Sequence, residues 1–316
     1  MKDLFLLDGH CDTAIELYRQ GKHLRENDLH CDLQQATFLQ GWAQFFAFCI
    51  AGYSWPAHMT DEQVFLAAYQ YFMRELVANK LPVCTDPAQL KQSLSEHRVS
   101  AMLALEGAEG IGCDPGKLDL LGQMGFSMVS TVWNLENALA GSHLTGQRLS
   151  AQGREFIRRA QKLGFIVDVS HCSDAAFKDI CELAELPIVA SHSNSRAVCP
   201  HSRNLTDDMY KAICGLGGVA GLNLYVPFLA ERHADLETVW RHLDHFLQLA
   251  GSDCHVGLGL DLDGCDQLAE GFTGLGSYPR LAEFLMARGL SEQTLRRVFH
   301  ENFMGVFDLC TRKRTS

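Results

Sequence analysis

No two of the 12 cysteines are spaced as CxxC, so their spacing carries no redox or zinc-ribbon signature. A short secreted chain with so many would need a disulfide framework; one of 316 residues does not. Cys49 and Cys254 lie in or beside apolar runs, where a free thiol behaves as a small hydrophobe. The expectation is reduced thiols in a cytoplasmic protein. Basic residues are also scarce: 27 Lys and Arg face 38 Asp and Glu, a net charge of −11. That argues against a nucleic-acid partner and against an anionic membrane surface. No apolar run is long enough to span a bilayer. The run before Asp8 is too short for a secretory leader, and the polar end Thr311-Arg312-Lys313-Arg314-Thr315-Ser316 is no lipid-anchor tail. Linkers, repeats and low-complexity segments are missing, and no Gly-rich phosphate fingerprint follows an apolar run.

What is present is a large core, 47% of the residues being hydrophobic. Eight short apolar runs stand out, at 4–8, 44–48, 99–105, 126–132, 165–170, 187–191, 218–223 and 256–260. Continuous apolar runs of this length suit strands buried on both faces. Helical patterns separate most of them. Thr60 with Gln63 predicts a capping box before a helix at about 61–79. Ser150 predicts the cap of a helix ended by Gly164. Ser173, Thr206 and Ser291 are further N-caps, and 236–250 reads as an amphipathic helix closed by Gly251. Eight strands with helical crossovers predict a (β/α)8 TIM barrel, of the metal-dependent hydrolase type, as one domain over 1–316. Helices at about 279–310 are expected to pack on it. An open doubly wound sheet is the alternative, and the missing phosphate fingerprint weighs against it.

Potential metal ligands sit where the runs end. His10 and Asp12 follow the first, two residues apart, so in an extended chain both point the same way. Glu106, His171, His192 and Asp261 follow four others. Imidazole and carboxylate suit zinc and other divalent ions. Five ligands are too many for one tetrahedral zinc with an open position. They suit two ions sharing Glu106, with His10 and Asp12 on one and His171 and His192 on the other, and a hydroxide between them as nucleophile. The bland readings apply elsewhere. His30-Cys31-Asp32 repeats the His-x-Asp pattern but follows no strand, and reads as a loop. His242 and His245 share a helix of the outer ring and read as a satisfied surface pair. His58, His97, His143, His233, His255 and His300 have no strand-end context and read as solvated.

At these residues the chain resembles the membrane (renal) dipeptidase family, the zinc dipeptidases of the M19 type. Asp8-Gly9-His10-Cys11-Asp12 is similar to the family's DGHND. Leu105-Glu106-Gly107 is similar to the segment with the bridging glutamate, and Val167-Asp168-Val169-Ser170-His171 to IDLSH. Ser191-His192-Ser193 through Ser202-Arg203-Asn204 is similar to SHS…RN, and Gly259-Leu260-Asp261-Leu262-Asp263-Gly264 to G-x-DFDG. The resemblance runs from about residue 5 to about 307. It implies hydrolysis of dipeptides, with tolerance of a D-residue at the second position. It implies two zinc ions, one held by His10, Asp12 and Glu106 and the other by Glu106, His171 and His192. Arg203 would bind the substrate's free carboxylate, as a planar guanidinium is suited to do. Asp261 would shuttle protons from the attacking water to the leaving amine, while Asp263 reads as a structural carboxylate or N-cap. A homodimer is also implied, although no interface is legible in the residues.

Two departures stand out. Many members place His after the fourth strand, and here that position is Trp133. Its indole donates one N–H but carries no charge. It is placed to line the pocket by stacking, and Asn134 or Asn137 is placed to supply a polar contact. Cys11 replaces the common Asn and is either a bystander or an oxidation-sensitive thiol. Trp133 keeps open a second reading, another metal hydrolase of amides or lactones on the same barrel. A third is a non-catalytic zinc protein.

Overall fold

The apolar runs form a closed barrel of eight parallel strands paired in sequence order. The computed structural model describes residues 5–314. The strands are β1 (Phe5–Cys11), β2 (Gly41–Cys49), β3 (Val99–Glu106), β4 (Phe126–Ser130), β5 (Ile166–Asp168), β6 (Ile188–Ala190), β7 (Val219–Leu222) and β8 (Val256–Leu258). All eight expected runs are strands, and the barrel closes where Asp8 of β1 pairs with Leu258 of β8. Leu4 and the end of the polar tail at 315–316 lie outside the described residues. Among the described residues no helix is long and apolar enough to cross a membrane.

The boundaries shift in two ways. β2 starts three residues before the expected run, because Gly41 and Trp42 pair with the neighbouring strands. β5, β6 and β8 are only three residues long. Their chains leave the sheet early and turn, which is how the residues that follow reach the barrel mouth.

Helix ends follow the side chains that satisfy their first N–H groups. Thr60 and Gln63 form the capping box of helix Asp61–Ala78. Ser150, Ser173, Thr206 and Ser291 accept N–H bonds from Gly153, Ala176, Met209 and Thr294. Helix Leu236–Ala250 ends at Gly251 in the left-handed conformation. The core has two parts. One lies between the strands and the surrounding helices. The other fills the barrel itself, where Leu7, Phe45, Met102, Ile166 and Val189 meet Phe303, Val306 and Phe307 of helix Asn302–Thr311. That helix stops the barrel from below, so the open end is the C-terminal mouth.

Candidate metal centre

Five sequence-predicted ligands converge at that mouth, all 6% exposed or less. Glu106, the last residue of β3, stands at the centre. Its Oε2 is 3.3 Å from His10 Nε2. Its Oε1 is 2.9 Å from His171 Nε2 and 3.6 Å from His192 Nε2. His10 Nε2 is 3.7 Å from Asp12 Oδ2 and 3.9 Å from Asp261 Oδ1. Glu106, His171 and His192 therefore form one group whose ligand atoms could share an ion, and His10, Asp12 and Asp261 another.

The local backbone differs from a plain strand end. The register of β1 slips between Asp8 and Cys11, and Asp12 has left the extended region at the start of helix Thr13–Gln20, whose first N–H groups its side chain does not cap. Extended-strand alternation thus does not explain how His10 and Asp12 meet; a bulge followed by a turn does. His171 and Asp261 both have positive φ, 69° and 61°. This region is costly for non-glycine residues and recurs at functional sites.

The donor set fits divalent cations. His10 Nε2, Asp12 Oδ1 and Glu106 Oε2 are buried with no hydrogen-bond partner among the described residues. Burial and the charge of Glu106 push Asp12 up to about 7. Burial opposes charge on His10, but Glu106 and Asp12 outweigh it and hold its pKa well above the usual value. Burial, with His10 and Arg203 nearby, drives His192 well below it. Crowded carboxylates and lone pairs of this kind are relieved by a cation, and hard carboxylates with imidazoles suit zinc-like ions.

The rim carries the other expected residues. Trp133 and Asn134 line a cavity of about 230 Å³ together with Asp12, Glu106, His171 and Asp261. Trp133 does not hydrogen-bond to the cluster; its ring lies 6.2 Å from that of His171, tilted by 38°. Asn134 Oδ1 is 2.8 Å from His171 Nδ1. Asn137 instead binds Glu109 and the Thr131 carbonyl, a structural role. Arg203 is 3% exposed and donates Nη1–H to Ser193 Oγ at 2.6 Å, while Nε and Nη2 have no partner among the described residues. Its guanidinium sits 5.8 Å from the ring of Phe228, which lines the cavity. Asp261 Oδ2 accepts from Asn223 Nδ2 at 2.9 Å. Asp263 accepts from Thr13 Oγ1 and from the His30 N–H, each at 2.6 Å, as a structural carboxylate should.

Several histidines depart from expectation. His242 is not on the surface: it is fully buried, accepting from Ser195 N–H at 3.1 Å and facing the Leu229 carbonyl at 3.0 Å. His245 pairs with Asp207. His300 is buried rather than solvated. His143 belongs to the site, its Nε2 3.1 Å from Asn134 Oδ1. Burial and Arg203 push it down to about 3, so it is neutral. The only sequence signal for His143 is the length of the connection 131–150, long for a strand-to-helix loop. Cys11 is fully buried and burial raises its thiol pKa well above the usual value, which makes it an unreactive bystander. Cys254 is exposed rather than packed.

The comparisons with known proteins agree with this geometry. The family model described as membrane dipeptidase, peptidase family M19, matches residues 1–315. An uncharacterized protein from the pqqA 5′ region of Klebsiella pneumoniae is 34% identical over 251 residues, 74% of this chain and 92% of that protein. An uncharacterized dipeptidase of Schizosaccharomyces pombe is 30% identical over 225 residues, 69% of this chain and 55% of the relative, so the chain spans about half that relative's length. A metallo peptidase of Rhodobacter sphaeroides, solved with a phosphinate mimic of the dipeptide L-Ala-D-Ala, superposes with a TM-score of 0.89 at 27% identity, over 98% of this chain and 99% of that one. Dipeptidase AC, a metallo peptidase of family M19, superposes with a TM-score of 0.89 at 28% identity and the same coverage. With its barrel and its Glu106-centred cluster, the chain belongs to the membrane dipeptidase family, peptidase family M19, and is a metal-dependent dipeptidase.

Proposed function

We propose that the chain hydrolyses dipeptides, including those with a D-residue at the second position, at a centre of two zinc ions. The observation that carries this is the convergence of three imidazoles on the two oxygens of Glu106. His10, Asp12 and Glu106 would hold one ion, and Glu106, His171 and His192 the other. When bound, the ions supply Lewis-acid polarisation of the scissile carbonyl and water of lowered pKa as nucleophile.

The residues do the rest. Asp261 Oδ2 is tied to Asn223, which leaves Oδ1 facing the centre to take a proton from water and return it to the leaving amine. Arg203 has two unpaired buried donors, and the free carboxylate of a dipeptide satisfies both in a fork. A small cavity with this cation behind its Phe228 wall favours a dipeptide over a longer peptide. Trp133 and Phe228 supply apolar walls for the substrate side chains. The mimic of L-Ala-D-Ala bound to the Rhodobacter sphaeroides relative supports the substrate class.

The test compares a dipeptide with its C-terminal amide. Arg203 predicts that the amide is hydrolysed at least 100-fold more slowly in kcat/KM. Equal rates would remove the carboxylate clamp. Metal content after zinc loading, expected at two ions per chain, checks the stoichiometry. We also propose one domain over 1–316, a homodimer, and a cytoplasmic protein. The last is supported by cysteines that are all free among the described residues.

A further inference from the structure

The three imidazoles around Glu106 are not held alike. His171 Nδ1 is 2.8 Å from the amide oxygen of Asn134. An amide oxygen only accepts, so Nδ1 carries the proton and the Nε2 lone pair faces Glu106. Asn134 is itself pinned, because the same oxygen takes a second N–H from His143 Nε2 at 3.1 Å. His143 Nδ1 in turn lies 2.9 Å from Ser202 Oγ. On the other side, Ser191 Oγ donates to Asp168 Oδ2 at 2.5 Å and so accepts from His192 Nδ1, 2.7 Å away. His192 is thereby also held with its proton on Nδ1 and its lone pair on Nε2. His171 Nε2, His192 Nε2 and Glu106 Oε1 then meet within 3.6 Å as three acceptors with no proton between them. That arrangement is set for a cation before one arrives.

The other half lacks such support. His10 Nδ1 is buried with no hydrogen-bond partner among the described residues, and neither has Asp12 Oδ1. His10 is positioned instead by its ring, stacked on that of His192 with centroids 3.8 Å apart. Stacking fixes the plane of an imidazole but not which nitrogen carries the proton. Partners of this kind set the tautomer and basicity of metal-ligating histidines, and losing one typically costs 10–100-fold in affinity.

We propose that Asn134 and Ser191 are positioning residues that preset His171 and His192, so that the ion shared by Glu106, His171 and His192 binds first and tightly. The ion shared by Glu106, His10 and Asp12 binds second and at least tenfold more weakly. The inference rests on the five-ligand reading above. It goes beyond that reading by ranking the two sites and naming what ranks them.

The test is a titration of the chelator-stripped full chain with zinc alone, in competition with a chromophoric zinc chelator. Wild type is expected to show two steps whose dissociation constants differ by at least tenfold. Asn134→Ala and Ser191→Ala each weaken the first step by about 10–100-fold and leave the second within about threefold. Asn134→Asp keeps an acceptor and restores the first step, which a merely structural defect would not allow. His10→Ala removes the second step and leaves the first. Two equal steps in wild type, an unchanged first step in both alanine variants, or loss of the tight step in His10→Ala would each overturn the ranking. Absence of any zinc binding in wild type would overturn the five-ligand reading along with it.

Discussion

Asp8 accepts the backbone N–H of Leu260 at 3.1 Å, across the seam where β1 meets β8. The same carboxylate takes the His10 N–H at 2.9 Å, Gln44 Nε2 at 2.9 Å and the Tyr278 hydroxyl. One buried side chain thus joins the segment that carries His10 to the segment that carries Asp261. Asp8→Ala strands three buried donors, each worth about 1–3 kcal/mol when left unsatisfied, while Gln44 Nε2 keeps the Phe45 carbonyl at 3.3 Å. The expected loss of stability is about 3–5 kcal/mol after partial relaxation, read as a lower urea midpoint. A loss below about 1 kcal/mol would show that the seam does not depend on Asp8.

A second tight contact lies behind His192. A Cβ placed on Gly259 would come 1.7 Å from the Ser191 carbonyl oxygen and 3.3 Å from His192 Cα. Those atoms are backbone and cannot swing aside. Gly259→Ala must therefore push the β8 segment away from the β6 segment. We expect about 1–3 kcal/mol of destabilisation, the usual cost of overpacking. Bound zinc should also fall, because His192 moves with its backbone. Metal content by mass spectrometry and a thermal melt check both effects, and an unchanged melting point with full metal would count against the close approach.

Trp133 depends on Gly52 in a related way. A Cβ at Gly52 would fall 2.1 Å from the Trp133 ring, and Gly52 has φ +83°. The glycine makes room for the indole at the cavity wall. Trp133→Ala is expected to raise KM for apolar dipeptides about tenfold, the loss of roughly 1.4 kcal/mol of aromatic packing. Metal content stays unchanged, since the indole has no bond to the ligands. Gly52→Ala should shift KM in the same direction by displacing the ring. A substrate series in which KM does not move in either variant would show that the wall does not touch the substrate.

Much of this architecture was legible because barrel strands are buried on both faces. Short apolar runs such as Ala101–Leu105 therefore stand out, and each run points at the residue that follows it. Glu106, His171 and His192 were found in this way. The groups that hold them were not. Asn134 reaches His171 across 37 positions and Asn223 reaches Asp261 across 38; both stand just past strands, yet nothing in the pattern singles out which side chain each amide holds. The bulge in β1 and the positive φ of His171 and Asp261 are backbone states that no side-chain pattern encodes. His242 failed for a third reason. Helical periodicity places it beside His245, but the connections carrying Ser195 and Leu229 fold over it and supply both of its hydrogen bonds.

That buried imidazole gives the chain a pH dependence with a definite sign. Burial, aided by Arg241 and His245, outweighs the bond to Leu229 and pushes His242 down from 6.5 to about 4. In the folded chain it is neutral, whereas in the unfolded chain it binds a proton below about 6.5. The unfolded state therefore binds more protons between pH 6.5 and 4. Stability is fully present above 6.5 and is lost as pH falls through this window. The full loss is roughly 3 kcal/mol, and about 2 kcal/mol of it has gone by pH 5. His300, pushed down to about 4 mainly by burial, adds a loss of the same sign. His242→Gln offers a donor and an acceptor that do not titrate. The variant should therefore lose about 2 kcal/mol less than wild type between pH 7.5 and pH 5. Urea midpoints of the metal-free proteins at the two pH values measure this. Equal pH sensitivity in the two proteins would mean that His242 is already protonated in the fold, which its contact with the Ser195 N–H does not allow.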